Sequence, residues 1–163
     1  MIRNRQCIVS IMATGAILVF AASAAVAAAH PAIGTWQLNL AKSTDESTDA
    51  SPKSETFTFA DTGKGVTLTT RIVGADGKLT VNKGNPIKWD GMAHPDTNGP
   101  DHDSITVTPA GAQTLEWAFT KKGASVRSGT LAVSRDGRMM TISGASMGAK
   151  GGKTYFNDVF ERK

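Results

Sequence analysis

SETFTFADTGKGVTLTTRIV, residues 54–73, reads as two β-strands and the hairpin turn that joins them. Phe57 and Phe59 alternate with Thr56 and Thr58 before the break, and Val66, Leu68 and Ile72 alternate with Thr67, Thr69 and Arg71 after it. A period of two sends successive side chains to opposite faces of a pleated strand, so each segment has one apolar and one polar face. The break, Asp61-Thr62-Gly63-Lys64-Gly65, supplies the glycines that a tight antiparallel turn needs for positive φ.

The same period runs outward in both directions. Trp36, Leu38 and Leu40 share a face; so do Ile105 and Val107, then Leu115, Trp117 and Phe119, then Leu131 and Val133, then Met140 and Ile142, and finally Phe156 and Phe160. The connectors Ala75-Asp76-Gly77-Lys78, Lys121-Lys122-Gly123, Asp136-Gly137 and Gly148 to Gly152 carry hairpin chemistry. About eight or nine strands in sequential hairpins, with no helix-length amphipathic stretch among them, predict an all-β, antiparallel, up-and-down barrel. Two stretches, 41–52 and 91–103, read as long solvated loops.

Ahead of these strands, Arg3 and Arg5 precede a charge-free run from Ile8 to Ala29, with Ile8, Val9, Ile11, Met12, Ile17, Leu18, Val19 and Phe20 at its heart. That is the n-region and h-region of a Sec-type signal peptide, and small residues fit cleavage after Ala27 or after Ala29. The expectation is a signal over 1–29, a domain over 30–163 and an extracytoplasmic address, periplasmic or secreted. An uncleaved membrane anchor is the alternative, and it would be the chain's one contact with a membrane. Cys7 lies before the apolar run and is the only cysteine, so the domain carries no disulfide. A domain of about 134 residues is long enough to bury a core without one, and nothing in it requires an oligomer.

With Arg3 and Arg5 removed, Lys+Arg falls from 18 to 16 against 14 Asp+Glu, a net charge of about +2. The basic residues are dispersed and not interleaved with aromatics, which argues against a nucleic-acid partner; a monomer with a small amphipathic ligand is the expectation. No phosphate loop, dinucleotide fingerprint or Gly-x-Ser-x-Gly elbow is present, so no cofactor is implied and no enzyme constellation is visible. The acidic stretch 96–103 has oxygen ligands but lacks the spacing and closing Glu of a calcium loop. His30, made N-terminal by cleavage after Ala29, could chelate copper with His94 or His102; a solvated tail is the plainer alternative.

Parity selects the candidate lumen. Asp158 falls between Phe156 and Phe160 on the inward face, and Arg127 has the parity of Leu131 and Val133. With Phe57, Trp117 and Phe119 they would line a small amphipathic ligand site, a buried carboxylate needing such a partner. Two other outcomes stay open: a β-bulge at Gly129 that turns Arg127 outward, or Tyr155 and Val159 facing inward with Asp158 on the surface. Small inward positions such as Thr70, Gly144 and Ser146 favour a cavity over a filled barrel.

The run Ile33-Gly34-Thr35-Trp36-Gln37-Leu38-Asn39-Leu40-Ala41-Lys42-Ser43, with Trp89-Asp90-Gly91, Ser134-Arg135-Asp136-Gly137 and the terminal Phe160-Glu161-Arg162-Lys163, resembles the bacterial extracytoplasmic lipocalin-like proteins. The resemblance implies a small calyx-like barrel without a catalytic mechanism. It further implies that Gly34 and Trp36 open the first strand, and that Trp36 plugs the closed end with Arg162 across its ring, a cation–π contact of about 1 kcal/mol; an ordinary surface Arg162 is the alternative. Three functions follow: a binding protein for a small amphipathic or apolar molecule, a structural or protein-interaction module with a filled barrel, and, remotely, a copper-binding protein.

Overall fold

The computed structural model describes residues 29–46, 50–96, 99–148 and 152–163. The leader assigned to 1–29 therefore lies outside the described residues except for its last position. Antiparallel pairing joins β1 (Gly34–Leu38), β2 (Thr44–Asp45), β3 (Ser54–Asp61), β4 (Val66–Val73), β5 (Leu79–Lys83), β6 (Ala93–Pro95), β7 (Ser104–Gly111), β8 (Thr114–Lys121), β9 (Ala124–Val133), β10 (Met139–Met147) and β11 (Lys153–Arg162). The hydrogen-bonded order is β5-β4-β3-β1-β11-β10-β9-β8-β7-β6, with β2 beside β11. From β3 to β5 and from β6 to β11 each strand pairs with the next in sequence, and β1 lies between β3 and β11, so that both ends of the domain meet.

This is the expected all-β, antiparallel, up-and-down architecture, with two differences. The 11-stranded sheet exceeds the eight or nine strands expected, because β2 and β6 arise within the stretches read as loops; a 3₁₀ turn, Leu40–Lys42, stands between β1 and β2. The barrel is also open along one side: among the described residues β5 and β6 end the sheet and are not paired with each other. Past the end of β5 one bridge continues along β4, where Val66 N–H donates to the Ile87 carbonyl at 2.8 Å and Ile87 N–H donates to the Val66 carbonyl at 2.9 Å.

The core sits toward the end where β1 begins and β11 finishes. Trp36, Phe160, Leu115 and Met140 are fully buried there, joined by Leu131, Val133 and Val107. Burial of side chains this size stabilises the fold by about 1.5–3 kcal/mol each. Phe57 stacks on Phe160 at 4.7 Å between centroids and so belongs to this plug. The Trp36 indole donates to the Ala32 carbonyl at 2.8 Å. The Arg162 guanidinium lies 4.2 Å from the Trp36 ring centroid and donates to the carbonyls of Gly137, Ile33 and Pro31. Gly34 is required beneath it: φ is +139°, and a Cβ would stand 2.4 Å from Arg162 Nη1.

Candidate functional site

Above this plug the inward faces of β3, β4, β7 and β8 diverge and leave a cavity of about 210 Å³. Its walls are Phe59, Leu68, Ile105, Val107 and Phe119, each placed inward by the two-residue period, and Trp89 from the connector between β5 and β6. Phe59 meets Trp89 edge-on at 6.3 Å, and His30 packs edge-on against the other side of Trp89 at 5.3 Å. The His30 Nδ1 accepts from the Ala32 N–H at 3.2 Å, and burial pushes its pKa down. Polar groups enter from the open side. Asn82, Gly84 and Asn85 border the cavity next to the β5 edge, with Thr70 behind them and Asp96 and His102 across the seam.

The Asp96–His102 pair is the feature that sequence reading missed. Stretch 91–103 reads as solvated because it is rich in Pro, Gly, Asn and Asp, yet Asp96 is buried and its N–H donates to the Asp103 carbonyl at 3.0 Å. His102 Nε2 stands 3.3 Å from Asp96 Oδ2, and its ring lies 4.4 Å from that of Phe119. The sequence carries no usable signal for it: β6, which sets His94 opposite Ile105, is three residues long and has too little alternation to announce itself.

Of the five residues assigned to the lumen, Phe119 lines the cavity, Phe57 belongs to the plug, and Trp117, Arg127 and Asp158 are outside the lining. Trp117 and Phe156 converge to 6.1 Å although they stand on β8 and β11. They can do so because the two positions between them are Gly129 and Gly144, paired with each other. Gly144 therefore does not widen the lumen, since a ring occupies the room it leaves: Phe156 Cζ would lie 3.0 Å from a Cβ there. Arg127 faces inward, its guanidinium 4.4 Å from the Phe156 centroid and 5.8 Å from that of Trp117. The bulge is not at Gly129 but between Phe119 and Thr120. Tyr155 is exposed, and Val159 is buried from the outside, where its N–H donates to Ser43 Oγ at 2.9 Å and its carbonyl accepts from Asn39 N–H at 2.8 Å.

Asp158 has an acidic companion with the same inward parity, Glu55 at the start of β3, next to Phe57. Burial, and then the negative field of Asp158, push Glu55 up to about 7, with Arg127 pulling the other way. Asp158 is raised as well, by burial and by Asp45, against the same Arg127. A carboxyl held above its unfolded value of 4.5 binds its proton more tightly in the folded state, so its contribution to stability falls as pH rises from about 4.5 to 7 and is flat beyond. Glu55→Gln should therefore match the parent near pH 4.5 and exceed it at pH 8, by on the order of 2 kcal/mol. Urea unfolding at the two pH values checks this; a difference independent of pH would contradict it.

The three histidines that raised the copper alternative have separate partners. His30 is against Trp89, His94 Nε2 is 2.8 Å from Asp90 Oδ1, and His102 faces Asp96. Among the described residues no three His, Cys, Asp or Glu side chains converge to hold a metal ion.

Fold and cavity together define an all-β, antiparallel barrel open along one side, with an internal chamber reached between its edge strands. No family model matches the chain. No curated protein matches it. Among solved structures it is similar to the zebrafish ileal bile acid-binding protein complexed with cholic acid, with a TM-score of 0.48 and 13% identity over 82% of this chain and 99% of that one. It is also similar to the siderocalin Ex-FABP, described as functioning through dual ligand specificities, with a TM-score of 0.40 and 10% identity over 82% of this chain and 74% of that one. One barrel fold hosts many unrelated functions, so the ligand must be argued from the cavity.

Proposed function

We propose that this protein is a non-enzymatic barrel that holds one compact, largely apolar molecule in the chamber between β3, β4, β7 and β8. The observation that carries this reading is the chamber itself: about 210 Å³ walled by Phe59, Trp89, Phe119 and aliphatic side chains, with a few polar groups at one side. Ligand sites are concave and mostly apolar, with a small number of polar groups that orient what they hold. A barrel whose interior served only as a core would close this space, as Trp117 and Phe156 do over Gly129 and Gly144. The leader-like run Ile8 to Ala29 supports a place of action outside the cytoplasm, as does the resemblance of the Gly34-x-Trp36 opening to extracytoplasmic lipocalin-like proteins.

The test is made on protein recovered from the periplasmic fraction of a Gram-negative host expressing all 163 residues. N-phenyl-1-naphthylamine, an uncharged probe, should bind saturably and quench Trp89, which lines the chamber. Trp89→Phe should remove most of the quenching while the probe still brightens. Ile105→Trp fills the chamber from β7 and should weaken binding by at least about thirtyfold with the circular dichroism spectrum retained. Saturable binding that is indifferent to Ile105→Trp would place the ligand elsewhere, and no binding by folded protein would leave the filled-barrel interaction module as the better reading.

A further inference from the structure

The chamber's polar side carries information about the charge of what it accepts, an inference that rests on the binding reading above. Its lining contains two ionisable side chains among the described residues, Asp96 and His102, and they face each other at 3.3 Å. Whether the imidazole is neutral or protonated, the pair presents no net positive charge. An inward cation outside the lining is Arg127, whose register partner Phe119 lines the chamber. Its guanidinium is stacked on Phe156 and set in the field of Glu55 and Asp158. Lys121 is tied from outside to the carbonyls of Pro100 and His102, at 2.9 and 3.5 Å, and is not part of the lining. Arg162 is at the far end, against Trp36.

An anion entering this space would surrender its hydration with no lysine or arginine in the lining to receive it, and Arg127, outside the lining, lies over the Phe156 ring in the field of two carboxyl groups. It would also meet Asp96 in the lining, with Glu55 and Asp158 carrying further negative charge outside it. We propose that the chamber discriminates by charge: it takes an uncharged aromatic compound and excludes carboxylates and other anions, with Asp96 and Asp158 setting the preference. The neutral groups at the seam, Asn82, Asn85 and Thr70, can both donate and accept, and so suit a hydroxyl, an amide or an accepting carbonyl. Phe59, Trp89 and Phe119 offer ring faces and edges to a planar body. The upward push that Asp158 exerts on Glu55 reports the same negative field that an incoming carboxylate would feel.

Two compounds of one shape separate the contributions: 2-naphthol, neutral at pH 7, and 2-naphthoate. In calorimetric titrations of the intact domain, naphthol should bind and naphthoate should bind at least about tenfold more weakly, since only its burial strands a charge. Asp96→Asn should narrow that ratio several-fold. Asp158→Asn, made outside the lining, should narrow it as well and serves if Asp96→Asn does not fold. Naphthoate binding as tightly as naphthol would overturn the charge preference while leaving the binding barrel intact. An unchanged ratio in both variants would overturn the assignment to these carboxylates. If neither naphthalene nor the uncharged probe above binds folded protein, the charge preference falls together with the binding reading.

Discussion

Adding a single methyl group at Gly129 should destabilise the domain by about 3 kcal/mol or more, against a usual 1–3 kcal/mol for overpacking. General strand chemistry predicts the opposite sign, because alanine in a strand interior loses less conformational freedom than glycine on folding. Here the ideal Cβ would stand 2.0 Å from the Ser143 carbonyl oxygen and 2.8 Å from Gly144 Cα. Both are backbone, in a ladder paired without interruption from Met140↔Val133 to Ser146↔Arg127, so neither can yield locally. Gly144→Ala should behave alike, with its Cβ 2.2 Å from the Ser128 carbonyl oxygen. Gly152→Ala, with nothing within 4 Å of its Cβ, is the control and should stay within about 0.5 kcal/mol of the parent. Urea midpoints would decide it, and a Gly129→Ala variant as stable as the control would mean that the two strands are not so close. Near-ultraviolet circular dichroism should change too, because the methyl would displace Trp117 from Phe156.

Trp36→Ala should cost about 3–5 kcal/mol and lower the midpoint of thermal unfolding by roughly 10 °C or more. Trp36 is fully buried, and its removal leaves a cavity under Arg162, an unpaired carbonyl at Ala32 and no ring for the guanidinium to lie on. Trp36→Phe keeps a ring and loses the indole donor, so its cost should be nearer 1–2 kcal/mol. Arg162→Lys should also cost stability, because a lysine cannot place a planar fork on three backbone carbonyls at once. Thermal melts of the three variants order these effects; a Trp36→Ala variant within 1 kcal/mol of the parent would show that the closed end does not depend on this plug.

The strands were legible because their information is local. Phe57 with Phe59, or Leu115 with Trp117 and Phe119, declares a face by alternation, and the Gly-containing turns declare where the chain reverses. The same parity sets Asp158 with Phe156 and Phe160, and Arg127 with Leu131 and Val133. It could not show Glu55 as the companion of Asp158, since two acids far apart in the chain carry no mark of facing one barrel interior. Nor could composition distinguish a solvated loop from stretch 91–103, which looks solvated but buries Asp96 by closing Asp96 N–H onto Asp103.

The sequence by itself therefore determined the strand period, the turns, the antiparallel all-β class and the face on which each strand side chain lies, because a pleated backbone converts position along the chain directly into side. Only the tertiary structure decided which of those inward side chains fill space and which surround it. Trp117 fills space because the glycines facing each other on β9 and β10 let it reach Phe156, whereas Phe119, two residues along the same strand, lines a chamber because β5 and β6 part beside it. Alternation is a property of one strand; a cavity depends on what stands across the barrel.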